Sequence, residues 1–231
     1  MVFQNESNNI VVVGGVMSNI IRFRNYIQKR EDTMRFEKLI NELRTKNKNG
    51  YDYSLSEIAN IANNILKEID YYSGRGATPI VKIAKEFDFK TYKENLKNGK
   101  SGDIHINGDT AERYGHDKVI LVNKNDELFH QRFVVAHELA HYLFEFLGNP
   151  NYANSDTIFV DTYQKDQHET QQEKRANAFA AEIMMPKDLF IKQYYIARRE
   201  ESTRMFILMY LSRFFETSIE SIEKRIMEVS V

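Results

Sequence analysis

The chain of 231 residues contains no cysteine and no tryptophan, and only 3 prolines and 10 glycines. Without cysteine there can be no disulfide, thiolate zinc site, iron–sulfur cluster or cysteine nucleophile, so any metal must sit on His and carboxylate. The scarcity of Pro and Gly, with 28% charged residues spread along the length, excludes collagen-like, low-complexity and wholly disordered chains. Charge of one sign is also missing: Lys+Arg 32 against Asp+Glu 33 leave a net charge of -1, which gives no global argument for a nucleic acid, a membrane surface or an acidic substrate. The longest apolar run, Ile10 to Met17, is too short to span a bilayer and follows Asn and Glu instead of the basic stretch of a secretory signal. A cytoplasmic protein with no membrane partner is therefore expected.

What is present, 42% hydrophobic and 12% aromatic residues, suffices for a buried core in one or two domains. Gly14-Gly15-Val16-Met17 is what a translated ribosome-binding site before a start codon would give, so residues 1–16 are expected to lie outside the native fold, and N-terminal sequencing tests this. From Ser18 to Arg44 apolar residues recur at helical spacing (Ile20, Ile21, Phe23, Tyr26, Ile27, then Met34, Phe36, Leu39, Ile40, Leu43), which predicts a helical N-terminal extension over 1–50. Its excess of Arg and Lys reads first as a solvated face and second as a contact for nucleic acid or an acidic partner.

Ser54-Leu55-Ser56-Glu57 has the capping-box pattern, and Ile58, Ile61, Ala62, Ile65, Leu66 and Ile69 follow on one helical face. Thr78 and Pro79 predict an N-cap and first-turn proline for a short helix through Ile80, Ile83 and Ala84. The period then changes. Phe87 to Tyr92, Asp103 to Asn107 and Lys118 to Asn123 predict strands of one small antiparallel sheet. After Asn125-Asp126, a helix is expected from Glu127 to Leu147, stopped by Gly148-Asn149-Pro150. Leu189 to Val231 reads as two or three amphipathic helices, the last capped by Ser218, a C-terminal helical region over 191–231. Its apolar stripes are expected to be core, with a docking or dimerising surface as the alternative. The fold class expected is α+β, mostly helical with a small antiparallel sheet.

Val134-Val135-Ala136-His137-Glu138-Leu139-Ala140-His141 contains His-Glu-x-x-His, two imidazoles one turn apart and about 6 Å along the axis on one helix face. They can hold one zinc ion. Glu138, rotated by about 100° from His137, lies beside the metal and not on it, placed to take a proton from an attacking water. The bland alternative is a pair of hydrogen-bonded core histidines.

A catalytic zinc takes three protein ligands and leaves one position for water. A chain-reversing Gly and a third His at 144 and 147 are excluded by Phe144 and Leu147. Glu145 shares the face but lies about 12 Å from His137 along a straight helix. Asp161, Asp166, His168 and Glu169 could reach the metal only if the loop after Pro150 folds over it. The better candidate is Glu173, at the start of a helix that Pro186 closes, whose four alanines allow close packing on the first helix. Asn177, one turn on, could orient a histidine through its free ring nitrogen. Spacing alone leaves open the alternative that Glu173 is an exposed first-turn acid favoured by the helix dipole. For a second electrophile at the developing oxyanion the candidates are Tyr152, Tyr163, His168 and His105. His105 reads more simply as a surface histidine, and His116 and His130 as structural or solvated.

The pairing of Arg132-Phe133-x-x-Ala136-His137-Glu138-Leu139-Ala140-His141 with Glu173-x-x-Ala176-Asn177-x-Phe179-Ala180-Ala181-Glu182-Ile183-Met184-Met185-Pro186 resembles the ImmA/IrrE family of metallopeptidases, over roughly residues 75–190. The resemblance implies a zincin-like metallopeptidase domain over 51–190, with Zn2+ on His137, His141 and Glu173 and with Glu138 as general base and acid. It further implies limited proteolysis of a helix-turn-helix repressor of a mobile element or stress response. Another class of reading is an antirepressor that grips the repressor and uses zinc structurally, with little turnover; a closed structural site has no use for a base at Glu138. A third, DNA binding through the basic N-terminal helix, is disfavoured by the overall charge.

Overall fold

The computed structural model describes residues 36–73, 76–97, 99–106, 113–150, 161–164, 170–200 and 203–230. The chain divides into two compact units, Met1–Leu39 and Ile40–Val231. Of the first, only residues 36–39 are described, so the alternative start and most of the predicted N-terminal helix lie outside the described residues, as do Tyr152, Asp166, His168 and Glu169. No described helix is long and apolar enough to cross a membrane.

Helices α1 (Glu37–Lys48) and α2 (Leu55–Glu68) come first. The capping box on α2 forms as expected: Glu57 N donates to Ser54 Oγ at 3.3 Å and Ser54 N to Glu57 Oε2 at 3.0 Å. Its face of Ile58, Ile61, Ala62, Ile65 and Leu66 is buried. Helix α3 (Ile80–Glu86) starts differently from the expectation. Pro79 occupies the cap position without a side-chain bond, and the Thr78 hydroxyl donates at 2.7 Å to the carbonyl of Ile183. That carbonyl is one of the last four of α5 (Gln171–Met184), which have no partner within their own helix, so a tertiary acceptor outcompetes the local cap.

Four strands follow: β1 (Lys90–Glu94), β2 (Lys100–Ile106), β3 (Lys118–Asn123) and β4 (Asp161–Gln164), in the order β1-β3-β2-β4. The sheet is mixed, which corrects the antiparallel expectation. Strand β2 runs antiparallel to both β3 and β4, whereas β1 pairs in parallel with β3, Thr91 opposite Ile120. The cause lies in β3, whose Val119-Ile120-Leu121-Val122 is buried on both faces and so takes an interior position with a neighbour on each side. Strand β1 begins at Lys90 instead of Phe87 because Phe87 caps α3 and Asp88 takes a φ of 70°.

Helix α4 (Leu128–His141) lies between the sheet and α5, and every side chain from Val134 to His141 is buried. It does not continue as an α-helix to Leu147. A π-helical turn over Tyr142–Phe146 follows, in which Leu147 N donates to Tyr142 O at 2.9 Å. Asn47 of α1 satisfies the carbonyls this exposes, donating to Leu143 O at 2.8 Å and Leu147 O at 2.9 Å. Gly148, φ 78°, ends the segment at the expected place.

Three helices complete the unit: α6 (Lys187–Glu200), α7 (Arg204–Phe215) and α8 (Ile219–Val229), the last capped by Ser218 as predicted. Phe190, Leu208, Leu211 and Ile222 are core, as expected of the C-terminal stripes, while Tyr195, Met205, Phe206 and Met209 are exposed. A buried arginine, Arg225 of α8, ties this region to α5. Its guanidinium donates to Glu182, to the Met185 carbonyl at 3.1 Å and to Glu228 at 3.1 Å.

Candidate metal centre

Helix α4 presents its two histidines to α5 and its glutamate to the sheet. His137 and Glu138 have no exposed surface and His141 almost none. Their Nε2 atoms are 3.0 Å apart, and Glu173, from the first turn of α5, places Oε2 at 3.2 Å from His137 Nε2 and Oε1 at 3.4 Å from His141 Nε2. Among the described residues this is the group of His and acidic side chains that could hold a metal ion. Ligands about 2.0–2.1 Å from a tetrahedral zinc lie about 3.3 Å from one another, so the spacing of the three fits such an ion.

The approach of α5 has identifiable causes. Ala176 and Ala180 are buried against α4 and keep the helices close. Thr170 caps α5, accepting from Glu173 N at 3.2 Å, which fixes the backbone that carries the carboxylate. Arg175 donates to Glu145 at 2.9 Å and to Asp52 at 2.7 Å, and Gln172 donates to the other Glu145 oxygen at 2.9 Å. Glu145 is thus no ligand. It is the anchor through which the π turn holds the first turn of α5.

The protonation states favour a cation. His137 Nδ1 lies 3.0 Å from Asn177 Oδ1. An amide oxygen only accepts, so Nδ1 carries the proton and Nε2 turns its lone pair toward Glu173 and His141. Burial pushes the His137 pKa down, and this keeps the imidazole in its neutral, ligating form. The His137 ring, and after it the His141 ring, lie against the Glu173 carboxylate and hold its pKa well below the usual carboxylate range. A metal ion is held by neutral imidazoles, so the two rings with one carboxylate would make a ligand set with a single negative charge, suited to a dication.

Glu138 lies against β2 at Gly102. A Cβ built on Gly102 would fall 2.2 Å from Val134 Cγ1 and 2.8 Å from Glu138 Oε1, so only glycine lets the strand come this close to the helix. Sequence reasoning missed Gly102 because the expected strand began only at Asp103, whereas the observed one starts at Lys100 and so contains a glycine, a known sign of close approach.

The remaining candidates separate. Asp161 and Tyr163 lie on β4 at the positions opposite Ile104 and Gly102. His105 is half-buried and not free at the surface: β2 is an interior strand, the imidazole Nε2 is enclosed with no hydrogen-bond partner among the described residues, and burial lowers its pKa. His116 Nε2 meets the Asp88 carbonyl at 2.8 Å. His130 Nε2 lies 3.0 Å from Ser101 Oγ and 3.6 Å from Asp126 Oδ2. One ring nitrogen faces both groups, so the trio lacks the two-sided histidine of a nucleophilic triad.

Two packed helices, one bearing His-Glu-x-x-His and the other a convergent carboxylate, define a metallopeptidase-like domain. The chain belongs to the peptidase M78 family, the IrrE N-terminal-like domain, whose family model matches residues 84–227. That span runs from the end of α3 through most of α8 and so takes in the C-terminal helices. A search of curated proteins finds no match to the chain.

Proposed function

We propose that this protein is a cytoplasmic zinc endopeptidase that cleaves a helix-turn-helix transcriptional repressor of a mobile element or stress response. The observation that carries the peptidase reading is Glu138, a fully buried carboxylate next in sequence to His137 and outside the group that could hold the metal. A purely structural metal site has no use for it. The choice of substrate rests on the resemblance to the ImmA/IrrE family.

His137, His141 and Glu173 would hold the ion. Bound there, zinc supplies Lewis acidity toward the scissile carbonyl and makes a water acidic enough to react near neutral pH. Glu138 takes the proton from that water and returns it to the leaving amine. Asn177 holds the His137 ring in the required tautomer, and the Glu145–Arg175–Asp52 chain of ion pairs holds α5 in place.

The test is co-expression of the full chain, wild type or Glu138→Gln, with the helix-turn-helix regulator encoded nearest to its gene, following the regulator by mass spectrometry. The expected result is cleavage by wild type alone, with both forms carrying one metal ion per chain. Cleavage by Glu138→Gln at the wild-type rate overturns the assignment of the base. An intact regulator held in a stable complex by metal-loaded wild type replaces the peptidase with an antirepressor.

A further inference from the structure

The opposite edge of the sheet from β4 carries a feature the metal centre does not use. Strand β1 ends the sheet order, and its outer edge has no neighbouring strand among the described residues. Beside it, α3 and β1 enclose a shallow groove of about 380 Å³ lined by Val81, Lys82, Lys85, Phe89, Lys90 and Tyr92, with no acidic side chain in the lining. Phe89 is buried in its floor and Val81 is exposed on its rim. Lys82, Lys85 and Lys90, with Lys93 and Lys97 further along, are exposed and make no ion pair among the described residues. Of the acids nearby, Glu94 takes Arg113 and the Tyr114 hydroxyl, Asp88 faces His116, and Glu86, at the end of α3, is outside the lining. In a chain with net charge -1, this is a concentrated positive surface.

We infer that the groove between α3 and β1 docks an extended acidic segment of a partner protein, which adds to the sheet as a strand along β1. The open edge offers main-chain donors and acceptors, the apolar floor takes alternate side chains, and the lysines select for acid on the others. Lysine on an edge strand commonly serves only to prevent edge-to-edge aggregation. Lys82 and Lys85, however, are on the helix and face the same groove, where blocking a strand edge is no function for them. A peptide is favoured over a nucleic acid because a strand edge alternates donors with acceptors, which another main chain matches and a phosphate backbone, which only accepts, does not. That the partner is the protein to be cleaved rests on the peptidase reading above; capture of the segment does not.

The experiment therefore measures binding without turnover, using full-length Glu138→Gln protein. The probes are a labelled short peptide alternating Glu with Val, its counterpart alternating Lys with Val, and a short DNA duplex. The Glu peptide should bind and slow amide exchange across residues 90–94, and the Lys peptide should not bind. Lys82→Ala/Lys85→Ala/Lys90→Ala should weaken the Glu peptide by about tenfold or more. The reversal Lys82→Glu/Lys85→Glu/Lys90→Glu should gain the Lys peptide, a result that misfolding cannot produce. The inference is overturned if the Glu peptide fails to bind, if the triple alanine variant binds it as before, or if the duplex alone binds through these lysines. Cleavage of the regulator by a triple alanine variant at the wild-type rate would remove the groove from substrate capture and leave the peptidase standing.

Discussion

Gly102→Ala would put one methyl group where the strand and the active-site helix leave no room for it. The new Cβ would lie 2.2 Å from Val134 Cγ1 and 2.8 Å from Glu138 Oε1, against an ordinary contact of 3.4–4 Å. Strand β2 cannot move aside, because β3 and β4 pair with it on both edges. Val134 and Glu138 cannot rotate into solvent, because neither has exposed surface. Relief requires α4 to withdraw by more than an ångström. Overpacking of this kind costs about 1–3 kcal/mol, and with both neighbours buried the upper half of that range is expected. A displacement of about 1 Å at a base also costs on the order of 100-fold in turnover. Urea unfolding of four proteins isolates the contact: wild type, Gly102→Ala, Val134→Ala and the double variant. Val134→Ala alone should destabilise by about 1.5–3 kcal/mol for the lost side-chain burial. In the Gly102→Ala background it also removes the worst clash, so the two losses should fall short of additivity by about 1–2 kcal/mol. An unfolding midpoint for Gly102→Ala equal to that of wild type, or strict additivity in the double variant, would refute the reasoning.

Asn177→Ala removes the acceptor that holds the His137 tautomer and should weaken metal binding by about 10–100-fold in a competition with a chelator; unchanged affinity would show that Asn177 does not orient the ligand. Arg225→Met leaves Glu182 buried without its counter-ion and should cost about 3–5 kcal/mol, whereas Arg225→Met/Glu182→Gln should be clearly milder in the same denaturation assay. Because burial lowers the His105 pKa, the unfolded chain binds a proton below about pH 6.5 that the folded chain refuses. Stability is therefore held above that pH and falls as the pH drops through the folded-state value. His105→Gln should lose less stability than wild type between neutral pH and about pH 5, with a residual slope left by His137; equal slopes would contradict the burial argument.

The features legible in the sequence were those that a single turn or a single run determines. Ser54 and Glu57 cap α2 because both partners lie within four residues, and β3 is found at Lys118–Asn123 because a continuous apolar run can satisfy itself only in the interior of a sheet. What escaped depended on residues far away in the chain. The hydroxyl of Thr78 goes to Ile183, the parallel pairing of β1 follows from β2 taking the other side of β3, and the π turn after His141 is matched by the amide of Asn47. Strand β4 carried no signal, since Asp161-Thr162-Tyr163-Gln164 has neither alternation nor an apolar run and enters the sheet by its pairing with β2.

The same division runs through the metal centre, and it explains why spacing alone gave the two histidines but left Glu173 open until the resemblance supplied it. Spacing of i and i+4 is a property of any helix, so His137 and His141 had to share a face whatever surrounded them. Glu173 had to wait for α5. Its position depends on buried alanines at the crossing, on the Thr170 cap, and on Glu145, a residue that shares the histidines' helical face in sequence and works instead as the far end of the Arg175 bridge. Glu138 is subtler still. Its place next to His137 was legible, but what fixes its carboxylate between helix and sheet includes an absent side chain, the missing Cβ of Gly102. A ligand set can be recognised from the groups it contains. The carboxylate of Glu138 beside it also depends on a group that must not be there, which is why a methyl at Gly102 is the sharper probe of this site than removal of any ligand.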